Sequence, residues 1–299
     1  MLSRSRITPF DITLYVTVVL AWGFAWIAIH FQIGAVPPDV SIVWRFLLAG
    51  IVTVAIAAAW GERLGYGLRE HAMFGALGVT LFSVNFLFYY HAAETLPSGL
   101  LSIIFSLVLF INVGFGAMFL KAPIDRRVLA GGVLGVFGMT AMFYPQFAAH
   151  DFPVGALIAL GLALIGTVFF CAGSIVSALL SRREVSVFAA NGYAMLYGTA
   201  ATAAYTLARG NSFTIEWRFT YIAGLIYLAL IASVVAFWSY LTLVKRIGAD
   251  RAGYVTVLSP ILALAVSTVF ENFRWDAMAV LGLAAVLAGN VLVLRPAKR

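Results

Sequence analysis

Ten long runs of predominantly apolar residues account for most of this 299-residue chain. A helix needs about 20 such residues to cross the hydrocarbon core of a bilayer, and within lipid its backbone polar groups must bond inside the segment. The runs cover residues 12–29, 40–59, 72–90, 96–120, 128–144, 154–179, 187–208, 219–244, 252–270 and 277–294. The sequence therefore predicts an all-α, polytopic membrane protein with ten transmembrane helices.

The composition excludes a water-soluble fold. Apolar residues make up 63% of the chain and charged residues 10%, against about 45–50% and about 25% in soluble domains. Because so few polar side chains are available to cover a surface, most of that surface must face lipid. The single cysteine, Cys171, also excludes disulfide frameworks and cysteine-rich metal sites. Stability must therefore come from packing.

Lysine and arginine fall mainly in alternate connections between the runs. Fifteen of the 19 lie at the two termini and in the even-numbered loops, three lie in the opposite set, and Arg45 lies inside the second run. The positive-inside rule then places both termini in the cytoplasm and requires an even number of spans. Because topology accounts for the net charge of +7, we expect no nucleic-acid partner.

Two stretches of the chain resemble each other in order and spacing. Each has a polar loop, a run with a mid-helix serine, and a second run with two glycines seven residues apart. The glycines are Gly131 and Gly138 in the first stretch and Gly282 and Gly289 in the second. This pattern predicts two inverted five-helix repeats, residues 1–148 and 149–299, as in secondary transporters. The alternative is chance recurrence of small residues at helix contacts. For the small pairs Gly131 and Gly135, and Ala285 and Gly289, helix packing is the favoured interpretation.

The first two runs contain the segments LAWGFAWIAIH and WRFLLAG. With these segments and the paired five-span units, residues 11–294 resemble the ten-span branch of the drug/metabolite transporter superfamily. The chain is similar to the bacterial inner-membrane exporters of aromatic and other neutral amino acids. The resemblance implies export by alternating access, a place in the bacterial inner membrane, and amino acids or similar metabolites as substrates. The second half departs from the pattern, with LIGTVFFCAG where a Trp-Gly pair is expected.

Carboxylates are absent from the middle of every predicted span. All twelve lie at or beyond span ends. A proton- or sodium-coupled transporter usually buries an acidic residue near the midplane, because the coupling ion needs a titratable or anionic ligand. We therefore expect facilitated diffusion without a carboxylate-coupled ion. The first span also lacks the glutamate of the small multidrug antiporters in the same superfamily.

Neutral polar and aromatic side chains inside the spans are the candidate substrate contacts. They are Trp22, Trp26, Asn85, Tyr89, Ser102, Ser106 and Ser259. A cavity lined by such groups would suit an uncharged side chain on a zwitterion. Pro260 removes a backbone hydrogen bond in mid-span and is a candidate hinge. For Trp22, Trp26, Asn85 and Tyr89 a purely structural role stays open, and for Ser106 as for Pro260 a hinge role is the alternative to substrate contact. Tyr90 lies near a span end, where an aromatic belt is the default interpretation.

Arg45 is the one formal charge well inside a predicted span. Its guanidinium is suited to bidentate binding of a substrate carboxylate. It is equally suited to a structural role, either extending to the outer headgroups or tying down a neighbouring helix. A single arginine is too few for a phosphorylated substrate.

Other functions leave no trace in the sequence. No nucleophile with a base, metal cluster or paired acid set lies in the spans, so we expect no enzyme activity, no metal and no cofactor. His71 and His150 have no metal-like spacing.

The alternative to amino-acid export is export of other small metabolites or drugs, such as nucleosides or lipophilic compounds. The sequence predicts no particular oligomeric state, because lipid-facing and partner-facing apolar surfaces have the same sequence pattern.

Overall fold

The computed structural model describes residues 8–34, 36–121, 126–148, 154–247 and 255–294, and the regular structure in these ranges is entirely helical. The α-helices are α1 (Pro9–His30), α2 (Pro38–Ala59), α3 (Leu68–Val79), α4 (Asn85–Ala93), α5 (Ser98–Ser106), α6 (Val108–Leu120), α7 (Arg126–Ala148), α8 (Val154–Ser181), α9 (Val187–Ala208), α10 (Phe219–Ile226), α11 (Ala236–Ile247), α12 (Val255–Phe270) and α13 (Ala277–Leu294). The all-α prediction is confirmed.

Two of the apolar runs contain a stretch of π-helix. Thr80–Val84 joins α3 to α4, and Tyr227–Val235 joins α10 to α11, so both runs stay helical along their length. The wider π turn changes the direction of the side chains that follow it, and such turns are frequent at functional sites. Asn85 directly follows the first π-helix and Ser233 lies within the second.

Helices coincide with all ten predicted runs, and within the described residues their ends differ from the prediction by four residues or fewer. Among those residues, six helical segments are long and apolar enough to cross a bilayer: Pro9–His30, Pro38–Ala59, Leu68–Ala93, Ser98–Phe119, Val154–Ser181 and Phe219–Tyr240. Shorter apolar helices cover Leu129–Met142, Leu258–Phe270 and Ala277–Leu292. These segments indicate a multi-pass membrane protein. The ten-span count and the inverted repeat stay predictions.

The chain divides into two compact units. Unit 1 consists of Met1–Ile27, Leu96–Leu160 and Val235–Arg299, and unit 2 of Ala28–Thr95 and Gly161–Val234. This division follows packing, whereas the predicted repeats at 1–148 and 149–299 follow sequence similarity. The repeats stay a prediction.

Glycines bring α7 and α13 into close contact in unit 1. A Cβ atom built on Gly138 would lie 2.5 Å from the carbonyl oxygen of Gly282, and one on Gly289 would lie 2.6 Å from that of Gly131. Small residues are typical where transmembrane helices approach each other closely. The interpretation of Gly131 and Gly289 as packing residues is confirmed.

Polar contacts tie together distant segments of unit 1. At one end, Arg246 Nε donates a 2.5 Å hydrogen bond to Asp11 Oδ1, and this bond raises the pKa of Arg246 above its usual value. In a second contact, Glu271 accepts hydrogen bonds from the backbone nitrogen of Ser98, at 3.0 Å, and from its hydroxyl. The carboxylate of Glu271 thereby satisfies a free N–H group at the start of α5.

Unit 2 is built around α9, which packs against α2 and α3. A Cβ atom on Gly198 would lie 2.7 Å from the carbonyl oxygen of Gly78, so the backbones of α9 and α3 are in direct contact there. Arg183 pairs with Glu70 at 3.2 Å, and Asn211 donates to both carboxylate oxygens of Asp39. The second of these contacts lies at the start of α2, the helix that carries Arg45.

Candidate substrate-binding residues

Arg45 lies in the interior of unit 2, with only 4% of its surface exposed. Its guanidinium carbon is 4.8 Å from the ring centre of Phe46 and 4.5 Å from that of Phe86, a distance typical of cation–π contacts. Nη2 donates a 3.4 Å hydrogen bond to the hydroxyl of Ser233. The side chain therefore stays inside the unit. The sequence had offered extension to the outer headgroups as one structural role, and the buried position does not agree with it.

Tyr90 and Ser233 are the polar neighbours of Arg45, and Gln32 is linked to it through Tyr90. The Tyr90 hydroxyl interacts electrostatically with the guanidinium of Arg45. It also donates a 2.7 Å hydrogen bond to Gln32 Oε1. Ser233 accepts from Arg45 and donates to the carbonyl oxygen of Leu228, five residues earlier in the second π-helix. We call Gln32, Arg45, Tyr90 and Ser233 the Arg45 cluster.

Several donor groups of the Arg45 cluster are unused. Arg45 Nε, Arg45 Nη1 and Gln32 Nε2 are buried and have no hydrogen-bond partner within the part of the chain that the structure describes. Buried polar groups are nearly always paired, because an unpaired one loses its hydration without compensation. The cluster thus presents a positive charge and free N–H groups together.

The sequence identified only Arg45 of this cluster. Tyr90 was expected in an aromatic belt at the membrane interface, yet it is 1% exposed and lies inside unit 2. Gln32 follows the first predicted span and Ser233 lies among apolar residues, so neither carried a signal beyond being polar near or within a span.

Asn85 and Tyr89 also lie in the interior of unit 2, one turn apart on α4. The Tyr89 hydroxyl and Thr167 Oγ1 are 2.5 Å apart, and Asn85 Nδ2 donates a 2.9 Å hydrogen bond to the carbonyl oxygen of Leu81. Gly166 allows α8 to approach, since a Cβ atom there would lie 2.9 Å from the Tyr89 ring. These contacts give both side chains a structural role, and their contact with substrate stays a prediction.

Trp22 and Trp26 are partly buried in unit 1, one turn apart on α1. The ring of Trp22 lies 5.7 Å from that of Phe237 and 5.3 Å from that of Tyr240, and Trp26 lies 5.6 Å from Phe105. Aromatic rings at these distances interact favourably edge to face or tilted. The two tryptophans therefore belong to an aromatic group within unit 1 while keeping part of their surface accessible.

The predicted serine contacts of unit 1 differ in what their hydroxyls do. Ser102 donates to the carbonyl oxygen of Gly99 at 2.6 Å, and Ser106 donates to that of Ile103 at 2.7 Å. Ser259 Oγ is buried without a partner among the described residues. Ser102 and Ser106 thus bond within α5, whereas Ser259 keeps its capacity to bind a ligand.

Pro260 follows Ser259 inside α12, where it is the one proline within the described part of that helix. A proline inside a helix removes one backbone hydrogen bond and favours a kink. The hinge role of Pro260 stays a prediction, as does the single cavity expected from the seven candidate contacts.

Comparison with known proteins adds the family. The sequence model of the EamA-like transporter family matches residues 10–144 of this chain and, a second time, residues 157–295. A probable amino-acid metabolite efflux pump of Escherichia coli K12 is 23% identical, over 95% of this chain and 96% of its own length. The uncharacterized inner membrane transporter YedA of the same organism is 25% identical, over 93% of this chain and 90% of its own.

A solved structure shows the same fold. A crystal structure of a protein with 17% sequence identity has a TM-score of 0.67 and covers 94% of this chain and 95% of the other. At this identity the likeness concerns the fold alone.

Proposed function

Because this chain belongs to the EamA-like transporter family, within the drug/metabolite transporter superfamily, we propose that it exports small neutral or aromatic amino acids. It is an integral, multi-pass membrane transporter of small-molecule metabolites, and its relatives are transporters rather than enzymes. The proposal adds the substrate class, the direction and the location in a bacterial inner membrane.

The substrate class is supported first by the relative named as an amino-acid metabolite efflux pump, which matches nearly the whole chain. It is also supported by the partly accessible rings of Trp22 and Trp26, which offer an apolar and aromatic surface to a side chain. The Arg45 cluster is the single observation that carries the proposal furthest, because its free donors and positive charge suit the carboxylate of a zwitterion.

We propose facilitated diffusion by alternating access. Within the described residues, the fully buried carboxylates are those of Asp11 and Asp39, each in the first turn of a helix. Asp11 pairs with Arg246 and Asp39 accepts from Asn211. Both carboxylates are therefore engaged, which supports transport without a carboxylate-coupled ion.

Transport by the purified protein in liposomes tests this function. A panel of labelled neutral amino acids, nucleosides and lipophilic cations is offered to protein-containing and protein-free vesicles. We expect uptake of neutral amino acids, aromatic ones included, above the protein-free level. Uptake confined to nucleosides or to lipophilic compounds would contradict the proposal and favour the alternative class, for which the aromatic surroundings of Trp22 and Trp26 are the supporting observation.

We further propose that both termini lie in the cytoplasm, on the basis of the lysine and arginine distribution. Cys171 is the sole cysteine and is buried, so single engineered cysteines near residues 3 and 298 report on the two ends. Labelling of both from the cytoplasmic side alone is expected. Labelling of the two ends from opposite sides would contradict this topology.

A further inference from the structure

Three buried donor atoms of the Arg45 cluster have no hydrogen-bond partner among the described residues, and they belong to two side chains. They are Nε and Nη1 of Arg45, which is 4% exposed, and Nε2 of Gln32, which is 1% exposed. A buried charge with unpaired donors is costly, and removal of its partner from a buried ion pair typically destabilises a protein strongly. Such a group is retained where something other than stability requires it.

No carboxylate of the described residues neutralises Arg45. In those residues Arg183 pairs with Glu70 and Arg246 with Asp11, and the imidazole of His91 lies 3.5 Å from Glu94. Asp39 is on the same helix, but six residues earlier, which corresponds to roughly 9 Å along the axis. Its two oxygens accept from Asn211. The positive charge of the cluster is thus not matched by a described carboxylate of the chain.

The two aromatic neighbours of the guanidinium offer it no conventional hydrogen-bond acceptor. Phe46 and Phe86 have their rings within 5 Å of the guanidinium carbon, and aromatic rings interact with the flat face of a guanidinium. Ser233 accepts from Nη2 and is itself held by the carbonyl oxygen of Leu228. Nε and Nη1 are the nitrogens that remain for a ligand.

The chemistry of the cluster favours one class of ligand. Free N–H groups on a cation and on an amide require an acceptor, and a negatively charged acceptor also neutralises the charge. One arginine matches a single carboxylate, whereas a phosphate group with its higher charge calls for several cations. The Tyr90 hydroxyl lies beside the guanidinium and orients the amide of Gln32 through the 2.7 Å hydrogen bond to Oε1.

We propose that the Arg45 cluster is the receptor for the carboxylate of the transported solute, with Arg45 and Gln32 as its donors. This inference rests on the proposed function, since it assigns the carboxylate of an amino acid to a site in unit 2. Tyr90 and Ser233 are positioning residues that hold the amide and the guanidinium in place.

The test compares two probes that differ in one group, L-phenylalanine and L-phenylalaninamide, which lacks the carboxylate. Binding of each to the purified full-length protein is measured in the same lipid. Loss of a hydrogen bond to a charged group lowers affinity by about 10-fold or more. The wild-type protein should therefore bind L-phenylalanine more tightly than the amide by at least that factor. Equal affinity for the two probes would overturn the carboxylate receptor, whatever the variants do.

Two variants probe the donors. In Arg45→Gln the preference for L-phenylalanine should fall to nearly 1-fold through weaker binding of that probe, with little change for the amide. In Gln32→Glu a carboxylate replaces the amide that Tyr90 links to the cation, and it should compete with the ligand and weaken L-phenylalanine binding about 10-fold or more. Because this variant pairs the charge, its unfolding temperature should be unchanged or raised, which keeps the test valid if Arg45→Gln does not fold.

Ser41→Ala is the matched control. Ser41 is buried on the same helix as Arg45, and its hydroxyl lies 2.9 Å from that of Tyr221, outside the cluster. We expect it to keep the wild-type preference. Equal weakening of both probes in Arg45→Gln, or an intact preference in Gln32→Glu, would overturn the assignment.

The outcomes separate the two proposals. Transport of neutral amino acids by wild-type protein that shows no preference for the carboxylate would leave the function standing and overturn the receptor. Transport of nucleosides or lipophilic cations with no binding of either phenylalanine probe would overturn the function and the receptor together.

Discussion

The backbone of Gly131 lies directly against Gly289, so close that a Cβ atom on Gly289 would lie 2.6 Å from the Gly131 carbonyl oxygen. Seven residues away on each helix, Gly138 and Gly282 make the equivalent contact at 2.5 Å. The two contacts lie two turns apart along α7 and α13, which run in opposite directions. The glycine spacing seen in the sequence is thus the spacing of a helix–helix interface.

Substitution of one of these glycines should destabilise unit 1. In Gly138→Ala the added methyl group meets the backbone of α13, and overpacking of this kind costs about 1–3 kcal/mol. The expected result is a lower unfolding temperature of the purified protein, measured by thermal denaturation. Gly114→Ala is the control, because nothing lies within 4 Å of a Cβ atom there. A stability loss as large in Gly114→Ala would contradict close packing as the cause.

Replacement of Trp22 by alanine should lower transport without lowering the yield of folded protein. The ring is partly accessible, so its loss removes a surface for substrate while the neighbouring Phe237 and Tyr240 keep their other contacts. Initial rates in liposomes at equal protein content give the measurement. Trp217→Ala is the matched control, since that side chain is 80% exposed and is expected to leave the rate unchanged. An unchanged rate in Trp22→Ala would remove Trp22 from the site.

The hydroxyl of Tyr89 should contribute to stability through Thr167. The two oxygens are 2.5 Å apart in the interior of unit 2, so Tyr89→Phe leaves Thr167 without this partner and should cost about 1 kcal/mol. Thr167→Val in the same protein removes the second hydroxyl, so the double variant should lose less than the sum of the two single losses. Unfolding free energies of the four proteins give the coupling. Strictly additive losses would indicate that the hydrogen bond contributes nothing.

The helices were predictable because their signal is local. Each apolar run carries its own length and composition, and the ends at residues 187, 208, 277 and 294 coincide with helix ends in the structure. Nothing in hydrophobicity marks a π turn, so the changes of direction at Thr80–Val84 and Tyr227–Val235 were not predicted. The same holds for the interruption at Leu107 between α5 and α6.

The Arg45 cluster was predictable only in part. Arg45 stood out because a charge inside a span is rare. Its neighbours come from residues 32, 90 and 233, and their proximity depends on tertiary packing rather than on spacing along the chain. For Tyr90 the position near a span end indicated the membrane interface, whereas packing places it inside unit 2. Depth along a helix does not specify which side faces protein.

We propose that this transporter moves neutral amino acids down their own gradient, and uptake after collapse of the proton gradient tests this most directly. Vesicles containing the purified protein are loaded with unlabelled L-phenylalanine and diluted into labelled L-phenylalanine with a protonophore present. Facilitated diffusion by alternating access predicts that labelled substrate still accumulates by exchange and that net flux follows the substrate gradient. Net flux that requires the proton gradient would contradict the account.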